Sequence, residues 1–451
     1  MKTKGIVQLF AAAALCSGQA LAQDLDFSSL PSIKDISAMA SQLEVPAAKA
    51  RKAQPKEWTI MVFMNGKNNL ADYTAKDMNE MEQLGSSAKI NIVVEVGKTA
   101  YTPPSDYDDW DYPDVNPWGG VYPGWNPHPP PLMSQSKIDD PSVAWTGVRR
   151  YYVQKDNDVN KLGSLLIEEL PKTDMGDWNK LAEFALWAKA KYPAKKYMLI
   201  VWNHGDGWKT KLTKSVMVRG ISNDDETGHS ISTVELGQAL AKMGGVDIYA
   251  SDACLMQMME VVYELKNYAP VIVGSEETEP GDGWDYTAFL SRVTSGSLTP
   301  EAMAKAAVEG YSSSYSAKRK SVTLSALRTR NMGELRNLLD QWVTLAMSQE
   351  KTALMAALNE ATNFEGADSR DLLHFLNLAG TRLPALQPKG AEIAALVSGM
   401  MIKNSPVGIP YKNAGGLAAY MPTYSFSPKY SNLALSKEGK WDEFMQWMTA
   451  K

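Results

Sequence analysis

An apolar run that ends in a polar cluster lies near the middle of the chain. Residues 197–208 read Tyr197-Met198-Leu199-Ile200-Val201-Trp202-Asn203-His204-Gly205-Asp206-Gly207-Trp208. A short continuous apolar run is typical of a strand that is buried on both faces of a parallel sheet. Similar runs occupy residues 58–64, 90–96, 246–250 and 271–273, with segments of helical periodicity between them. This alternation predicts an α/β fold with a mainly parallel sheet flanked by helices.

Composition limits the classes of protein to which the chain can belong. Its 451 residues are 44% hydrophobic and 22% charged, which is ordinary globular composition with enough apolar residues for a large core. The net charge of −5 leaves no basic surface, so nucleic acid is not an expected partner. Beyond residue 22, no apolar run approaches the roughly 18 residues of a membrane span.

The first 22 residues have the features of a secretory signal peptide. Lys2 and Lys4 precede a short apolar stretch, and Ala20-Leu21-Ala22 is a typical cleavage site. We therefore expect an exported protein, either periplasmic or extracellular. Residues 23–57 read as a pro-segment or linker, 58–300 as the main α/β domain, and 301–451 as a mostly helical region that completes it.

An unusual segment, residues 101–141, interrupts the α/β pattern. It contains ten Pro, three Trp and four Tyr together with an acidic group of five Asp between residues 106 and 114. Such a long proline-rich segment cannot form a helix, and it is either disordered or functional. A surface insertion that packs on itself and a loop that grips a sugar, a basic peptide or Ca²⁺ are both open interpretations.

Two strand ends carry residue types that together form a thiol nucleophile. His204 follows one buried run, and Cys254 follows another at residues 246–250. Ligands of open α/β sheets bind at the carboxyl ends of strands. Cys254 also precedes a helical pattern over 255–266, so we predict that it begins a helix whose dipole lowers the thiol pKa.

These residues suit acyl-transfer chemistry. His204 can act as general base toward the thiol and as general acid toward a leaving amine. The backbone N–H groups of Gly205 and Cys254 could form an oxyanion hole. The chain has two cysteines, and Cys16 would leave with the signal peptide, so Cys254 would be the sole mature thiol. A buried structural cysteine and a hydrogen-bonded histidine remain the alternative.

Several motifs make the sequence resemble the clostripain family of cysteine peptidases, which shares the caspase–gingipain fold. They are Trp58 to Leu70, the His-Gly-x-Gly-Trp element within 197–208, Ser251-Asp252-Ala253-Cys254-Leu255-Met256, Gly274-Ser275-Glu276-Glu277, Pro280 to Tyr286, Gly415 to Pro422 and Trp441. The resemblance covers the chain from about residue 58 to its end. The Pro- and Trp-rich insertion at 101–141 departs from the family pattern.

The resemblance implies a six-stranded, mainly parallel, caspase-like sheet with His204 and Cys254 as a catalytic dyad. It also implies cleavage of peptides after Arg or Lys, with Asp252 in the substrate pocket. Asp252 precedes Cys254 by two residues, so on one strand both side chains point to the same side of the pleat. A carboxylate at the start of a helix is the alternative role. Glu276 and Asp282 are secondary pocket candidates.

Self-processing of a zymogen is a further expectation. The segment 208–219 reads as a flexible polar loop that leaves the His204 strand end, and relatives in the family are processed in this interval. Lys211 and Lys214 are the preferred cleavage sites, with Lys209 and Arg219 as additional candidates. An ordinary solvated loop is the alternative.

No cofactor is required by this chemistry, although calcium is possible. Asp224 and Asp225 lie in an acidic turn that could offer oxygen ligands to Ca²⁺, but their spacing is not that of an EF-hand. A plain acidic turn is the alternative. Two other functions stay open: a non-proteolytic module that binds glycans or peptides, and a Cys-His acyl transferase or transpeptidase.

Overall fold

The computed structural model describes residues 55–99, 145–170, 172–212, 217–365 and 368–450, with the backbone alone described over 209–212 and 217–219. The predicted signal peptide, most of the predicted pro-segment and the insertion at 101–141 lie outside the described residues. Fourteen strands occur in the described part. They are β1 (Lys56–Gly66), β2 (Ile90–Lys98), β3 (Gly147–Tyr152), β4 (Leu165–Glu169), β5 (Ala194–Trp202), β6 (Gly205–Leu212), β7 (Met217–Asp224), β8 (His229–Ile231), β9 (Ile248–Asp252), β10 (Val271–Gly274), β11 (Ser325–Arg328), β12 (Ser369–Asp371), β13 (Met401–Asn404) and β14 (Ala418–Tyr420).

Twelve α-helices accompany these strands within the same described ranges. They are α1 (Tyr73–Glu82), α2 (Trp178–Lys191), α3 (Thr233–Lys242), α4 (Met259–Leu265), α5 (Tyr286–Ser295), α6 (Pro300–Ala317), α7 (Met332–Ala346), α8 (Lys351–Glu360), α9 (Leu372–Arg382), α10 (Gln387–Met400), α11 (Ala434–Glu438) and α12 (Trp441–Thr449).

The central sheet has the strand order β13-β11-β10-β9-β5-β1-β2-β3-β4. Strands β10, β9, β5, β1 and β2 are mutually parallel, and the remaining four add antiparallel edges. The predicted α/β class is therefore confirmed. The resemblance implied six strands, whereas the described sheet has nine, since β3, β4, β11 and β13 add antiparallel edges to the five parallel strands.

Each parallel strand is buried on both faces, as its apolar run predicts. Alternate residues of β1 point to opposite sides, so Met61 and Phe63 join one hydrophobic core while Ile60 and Val62 join the other. Helices cover both faces and exclude water from the strands. This arrangement fixes the carboxyl ends of β1, β5 and β9 side by side at one edge of the sheet.

The segment after His204 contributes to a second, smaller sheet, although residues 208–219 were predicted to be a flexible polar loop. Strands β6, β7 and β8 form an antiparallel three-stranded sheet. Trp208, Ile221 and Ile231 are buried, and they anchor this sheet to the core. Three well-separated apolar residues give little periodic signal, which explains why the sequence pattern resembled a loop.

The region after residue 300 contributes to the same cores. Strands β11 and β13 extend the central sheet, while β12 and β14 form a separate antiparallel pair. Trp342, Phe375, Trp441 and Phe444 pack together beneath them. Strand β11 is not the edge of the central sheet, since β13 pairs with its outer side.

Candidate active site

The strand register brings His204 and Cys254 to matching positions. Trp202 of β5 lies opposite Asp252 of β9 in the parallel ladder. The N–H of Asn203 donates to the carbonyl of Asp252 at 3.2 Å, which continues the pairing beyond the strand end. His204 and Cys254 each follow their strand end by two residues. The structure therefore places both at the carboxyl edge of the sheet on neighbouring strands, as predicted.

Cys254 lies in a tight turn and does not begin a helix. Helix α4 starts only at Met259, so the predicted effect of a helix dipole on the thiol is wrong. Leu255 has a φ of 61°, a left-handed conformation that a branched side chain rarely adopts. Its N–H donates to the carbonyl of Glu277 at 3.1 Å and holds the turn in place. Backbone strain of this kind is concentrated at functional sites.

A different donor is directed at the thiol. The backbone N–H of Glu279 donates to Cys254 Sγ at 3.2 Å. Hydrogen bonds to the charged form of a group favour that form, so this contact stabilises a thiolate. Cys254 itself is partly exposed.

His204 is held by a residue that the sequence analysis did not assign. Its Nε2 lies 2.6 Å from Asn69 Oδ1. Burial lowers the pKa of His204 from 6.5 to about 4, so its ring is neutral at physiological pH and can accept a proton. Asn69 follows β1, whose end adjoins the end of β5. This position after a neighbouring strand is the feature of the sequence that could have indicated a contact with His204.

Gly205 packs directly against the backbone of Cys254. A Cβ atom at this position would lie 2.3 Å from the carbonyl oxygen of Cys254 and 3.2 Å from its nitrogen. Only glycine allows so close an approach. Because the backbones of Gly205 and Cys254 are in contact, the two N–H groups predicted to form the oxyanion hole lie close together.

Asp252 is buried in a polar pocket beside the thiol. Its carboxylate accepts hydrogen bonds from the N–H of Trp284 at 3.1 Å and from the hydroxyl of Tyr286 at 2.8 Å. Burial raises the pKa of Asp252 to about 6, although both hydrogen bonds act in the opposite direction. The alternative role at a helix start does not apply, because no helix begins there.

Glu279 shares this pocket, and the sequence analysis did not single it out. Both of its carboxyl oxygens are buried. Burial, then the charge of Asp252 and a hydrogen bond with it, raise the pKa of Glu279 well above its usual value. Burial and the charge of Asp252 therefore disfavour the ionised form of Glu279. Sequence spacing gave no signal, because Glu279 reaches Asp252 only through the tertiary fold.

The two secondary pocket candidates, Glu276 and Asp282, each have partners of their own. Glu276 is fully buried and accepts a hydrogen bond from the N–H of Gly416 at 3.0 Å, so it tethers the C-terminal region. Asp282 forms an ion pair with Lys318 at 3.1 Å. Burial would raise the pKa of Asp282, but Lys318 and Lys76 lower it overall. Asp282 therefore stays ionised and already carries a cation partner.

Glu276 gives a prediction about stability. Burial and the nearby Asp371, with which it shares a hydrogen bond, raise the pKa of Glu276 well above 4.5. A raised carboxyl pKa stabilises the folded state at low pH, and this contribution is lost as pH rises toward the folded pKa. Glu276→Gln supplies a permanent donor in place of the shared proton. Its melting temperature should therefore rise relative to wild type as pH increases from 5 to 8.5.

Thermal unfolding of both proteins across this pH range measures the effect. Glu443→Gln, at an exposed position of α12, is the matched control and should track wild type. A constant difference between Glu276→Gln and wild type at every pH would contradict the shared proton.

The acidic turn proposed for calcium is occupied by a lysine. Lys67 Nζ lies 3.0 Å from Asp224 Oδ2 and 2.8 Å from Glu226 Oε2. Asp224 also accepts three backbone hydrogen bonds, from Met175, Glu226 and Thr227. Asp225 lies beside it, and burial raises its pKa. Across the described ranges, no group of three or more His, Cys, Asp or Glu residues is arranged to hold a metal ion.

The predicted cleavage sites are distributed over a hairpin. Lys209 and Lys211 lie in β6 and Arg219 lies in β7, whose pairing reaches Leu212 opposite Met217. Lys214 lies outside the described residues, in the connection between the two strands. The predicted flexible loop over 208–219 is therefore too long, because most of it is backbone-paired strand.

The fold and the site define an α/β protein of caspase-like architecture that presents a thiol and an imidazole at one edge of its sheet. A model of the clostripain family, peptidase class C11, matches residues 62–405. The chain therefore belongs to the clostripain family of cysteine peptidases. Within the described residues, no helix has the length and apolar character needed to cross a membrane.

Individual relatives agree with this assignment. Clostripain of Hathewaya histolytica is 27% identical over 276 residues, which cover 57% of this chain and 46% of clostripain. The chain thus spans about half the length of that curated relative.

Two solved structures share the fold. A secreted C11 cysteine protease from Bacteroides thetaiotaomicron, in complex with an irreversible peptide inhibitor, matches with a TM-score of 0.61 at 18% identity and covers 86% of this chain and 99% of its own. An inactive zymogen C11 protease from Parabacteroides distasonis matches with a TM-score of 0.60 at 16% identity. The match covers 85% of this chain and 98% of that protease.

Proposed function

We propose that this protein is an exported cysteine endopeptidase that cleaves peptide bonds after Arg or Lys. The observation that carries the proposal is the matching placement of His204 and Cys254 at adjacent strand ends, with Asp252 buried two residues before the thiol. Family membership supports the peptidase class, and clostripain is one relative. The signal-like first 22 residues support export to the periplasm or the outside.

The proposed reaction uses these residues in sequence. Neutral His204 takes the proton of the Cys254 thiol as Sγ attacks the carbonyl carbon of the scissile bond. The N–H groups of Gly205 and Cys254 stabilise the resulting oxyanion. The C–N bond then breaks, and His204 gives its proton to the leaving amine. Water attacks the thioacyl-enzyme with His204 again as base, which releases the acid and restores the thiol.

The pocket chemistry favours a cationic side chain. Asp252 is desolvated, and a substrate guanidinium or ammonium would offset the negative charge that burial disfavours on Asp252 and Glu279. A buried carboxylate attracts such a cation strongly, because little water screens the charges. The alternative role of Asp252 as a purely structural acceptor would leave cleavage without preference for basic residues.

Profiling of a peptide library with the purified protein tests the proposed function. Cuts after Arg and Lys are expected, without a required metal or cofactor. Cleavage without preference for basic residues would contradict the specificity. Transfer of the acyl group to an added amine in preference to water would show the acyl transferase instead.

Self-processing is part of the same proposal. Strands β6 and β7 stay paired up to Leu212 and Met217, so a cut in their connection disrupts the least backbone pairing. Lys214 is therefore preferred over Lys211, Lys209 and Arg219, which lie within the strands. The two pieces should remain associated, because β5 and β9 belong to one sheet.

Denaturing electrophoresis with N-terminal sequencing checks this expectation. Wild type should yield a fragment that begins at Ser215, whereas Cys254→Ala should stay intact. Lys214→Ala should slow processing or divert it to a neighbouring basic residue. Identical fragments from Cys254→Ala, or full activity of an uncut wild-type chain, would contradict self-processing.

A further inference from the structure

The side chain of Asn69 faces the Nε2 atom of His204. Its Oδ1 lies 2.6 Å from His204 Nε2, a short distance for a hydrogen bond between nitrogen and oxygen. An amide oxygen only accepts hydrogen bonds, so the proton in this contact belongs to the imidazole. The contact thereby specifies which nitrogen of the neutral ring carries hydrogen.

The loop that carries Asn69 is fixed by its neighbours. Asn68 Nδ2 donates to the carbonyl of Asn223 at 2.8 Å, and Asn68 Oδ1 accepts from the N–H of Leu70 at 2.9 Å. Lys67, one residue earlier, forms its ion pair with Asp224. These bonds immobilise the backbone on both sides of Asn69. Its side chain is exposed, so the contact with His204 is not forced by core packing.

We propose that Asn69 is a positioning residue that holds His204 as the tautomer protonated on Nε2, which leaves Nδ1 to take the proton from Cys254. This inference rests on the proposed peptidase function. In the acylation step the Sγ–H bond breaks and an Nδ1–H bond forms. Nε2 keeps its hydrogen bond to Asn69 throughout. Nδ1 then gives its proton to the leaving amine, and the neutral tautomer returns.

An amide suits this position better than a carboxylate would. A carboxylate beside the ring would favour the imidazolium and raise the pKa of His204. Asn69 is uncharged, so it orients the ring without opposing the lowering of the pKa that burial causes. His204 therefore stays neutral, and able to accept a proton, at pH values above its lowered pKa.

Kinetics of three variants test the role of Asn69. Asn69→Ala should lower kcat roughly 10- to 100-fold with little change in KM, because a hydrogen bond to the base is lost while the pocket is intact. Asn69→Asp should recover part of kcat and move the acidic limb of its pH profile upward by about one to three units. Asp72→Ala, an exposed change three residues away, is the matched control and should resemble wild type.

A spectroscopic measurement separates this inference from the proposed function. Long-range ¹H–¹⁵N correlation spectra report the tautomer of each histidine, and a His204→Gln sample assigns the signal of His204. The Nε2–H form is expected in wild type and should be lost or mixed in Asn69→Ala. An Nδ1–H form in wild type, or an unchanged tautomer and kcat in Asn69→Ala, would overturn the role of Asn69. Inactivity of wild type toward every peptide would instead count against the peptidase function.

Discussion

Cys254→Ala is expected to reduce hydrolysis of arginyl and lysyl peptides by at least about 10⁴-fold, because the atom that forms the acyl-enzyme is removed. The fold should be retained, since Cys254 lies in a partly exposed turn that is held by backbone hydrogen bonds. Turnover of a fluorogenic peptide amide, with circular dichroism as a check of folding, provides the measurement.

His204→Ala serves as the comparison for this prediction. It should also lose hydrolysis, but it retains the sulfur, so a small alkylating reagent should still modify Cys254. Labelling by that reagent should disappear only in Cys254→Ala. Wild-type turnover in Cys254→Ala would exclude the thiol as nucleophile and with it the proposed mechanism.

Asp252→Asn is expected to lower kcat/KM for basic substrates by roughly 30- to several-thousand-fold. Removing a desolvated carboxylate leaves the substrate cation unpaired, at a cost of about 2–5 kcal/mol. Asparagine has nearly the same shape, and with its amide oxygen at the position of Oδ2 it can still accept from the hydroxyl of Tyr286 at 2.8 Å and from the N–H of Trp284 at 3.3 Å. The loss should therefore reflect charge and not a collapsed pocket.

Two matched variants sharpen this result. Glu279→Gln should cost less than Asp252→Asn if Asp252 is the main partner of the cation. Asp282→Asn should cost least, since Asp282 already pairs with Lys318 at the surface. An unchanged preference for Arg and Lys in Asp252→Asn would move the pocket away from Asp252, and a dominant loss in Asp282→Asn would place it at the surface.

The strands that build the site could be predicted because they are short, fully buried and rich in apolar residues. The runs that became β1, β5 and β9 lie in continuous apolar stretches. The positions of His204 and Cys254 at one sheet edge then followed from the parallel arrangement. Edge strands such as β4 were missed, because half-exposed strands carry a weaker pattern.

The turn after Cys254 shows why local periodicity misled the helix prediction. The apolar spacing over 255–266 fits a helix, but tertiary hydrogen bonds use the first backbone groups of this segment. The N–H of Leu255 donates to Glu277, and the N–H of Gln257 donates to the carbonyl of Ser275 at 2.9 Å. The carbonyl of Gln257 accepts from the N–H of Ala418. Partners so distant in the chain leave no trace in a short sequence window.

The contacts that Asn69 and Glu279 make were hidden for a related reason. Both follow strand ends at the correct edge, yet neither belongs to a spacing motif that specifies chemistry. Only the folded arrangement places Asn69 against His204 and Glu279 against Asp252. The sequence shows only that both are polar residues near strand ends. That property does not distinguish Asn69 and Glu279 from the polar residues beside them.

The most direct test of the central claim uses a peptide inhibitor that ends in arginine followed by a thiol-reactive ketone. Mass spectrometry then identifies the residue that the inhibitor has modified. We predict one adduct, on the peptide that contains Cys254, with much slower labelling by the same inhibitor ending in leucine and by the Asp252→Asn protein. Equal labelling by both inhibitors, or an adduct on any residue other than Cys254, would contradict an Arg- or Lys-directed thiol peptidase centred on Cys254.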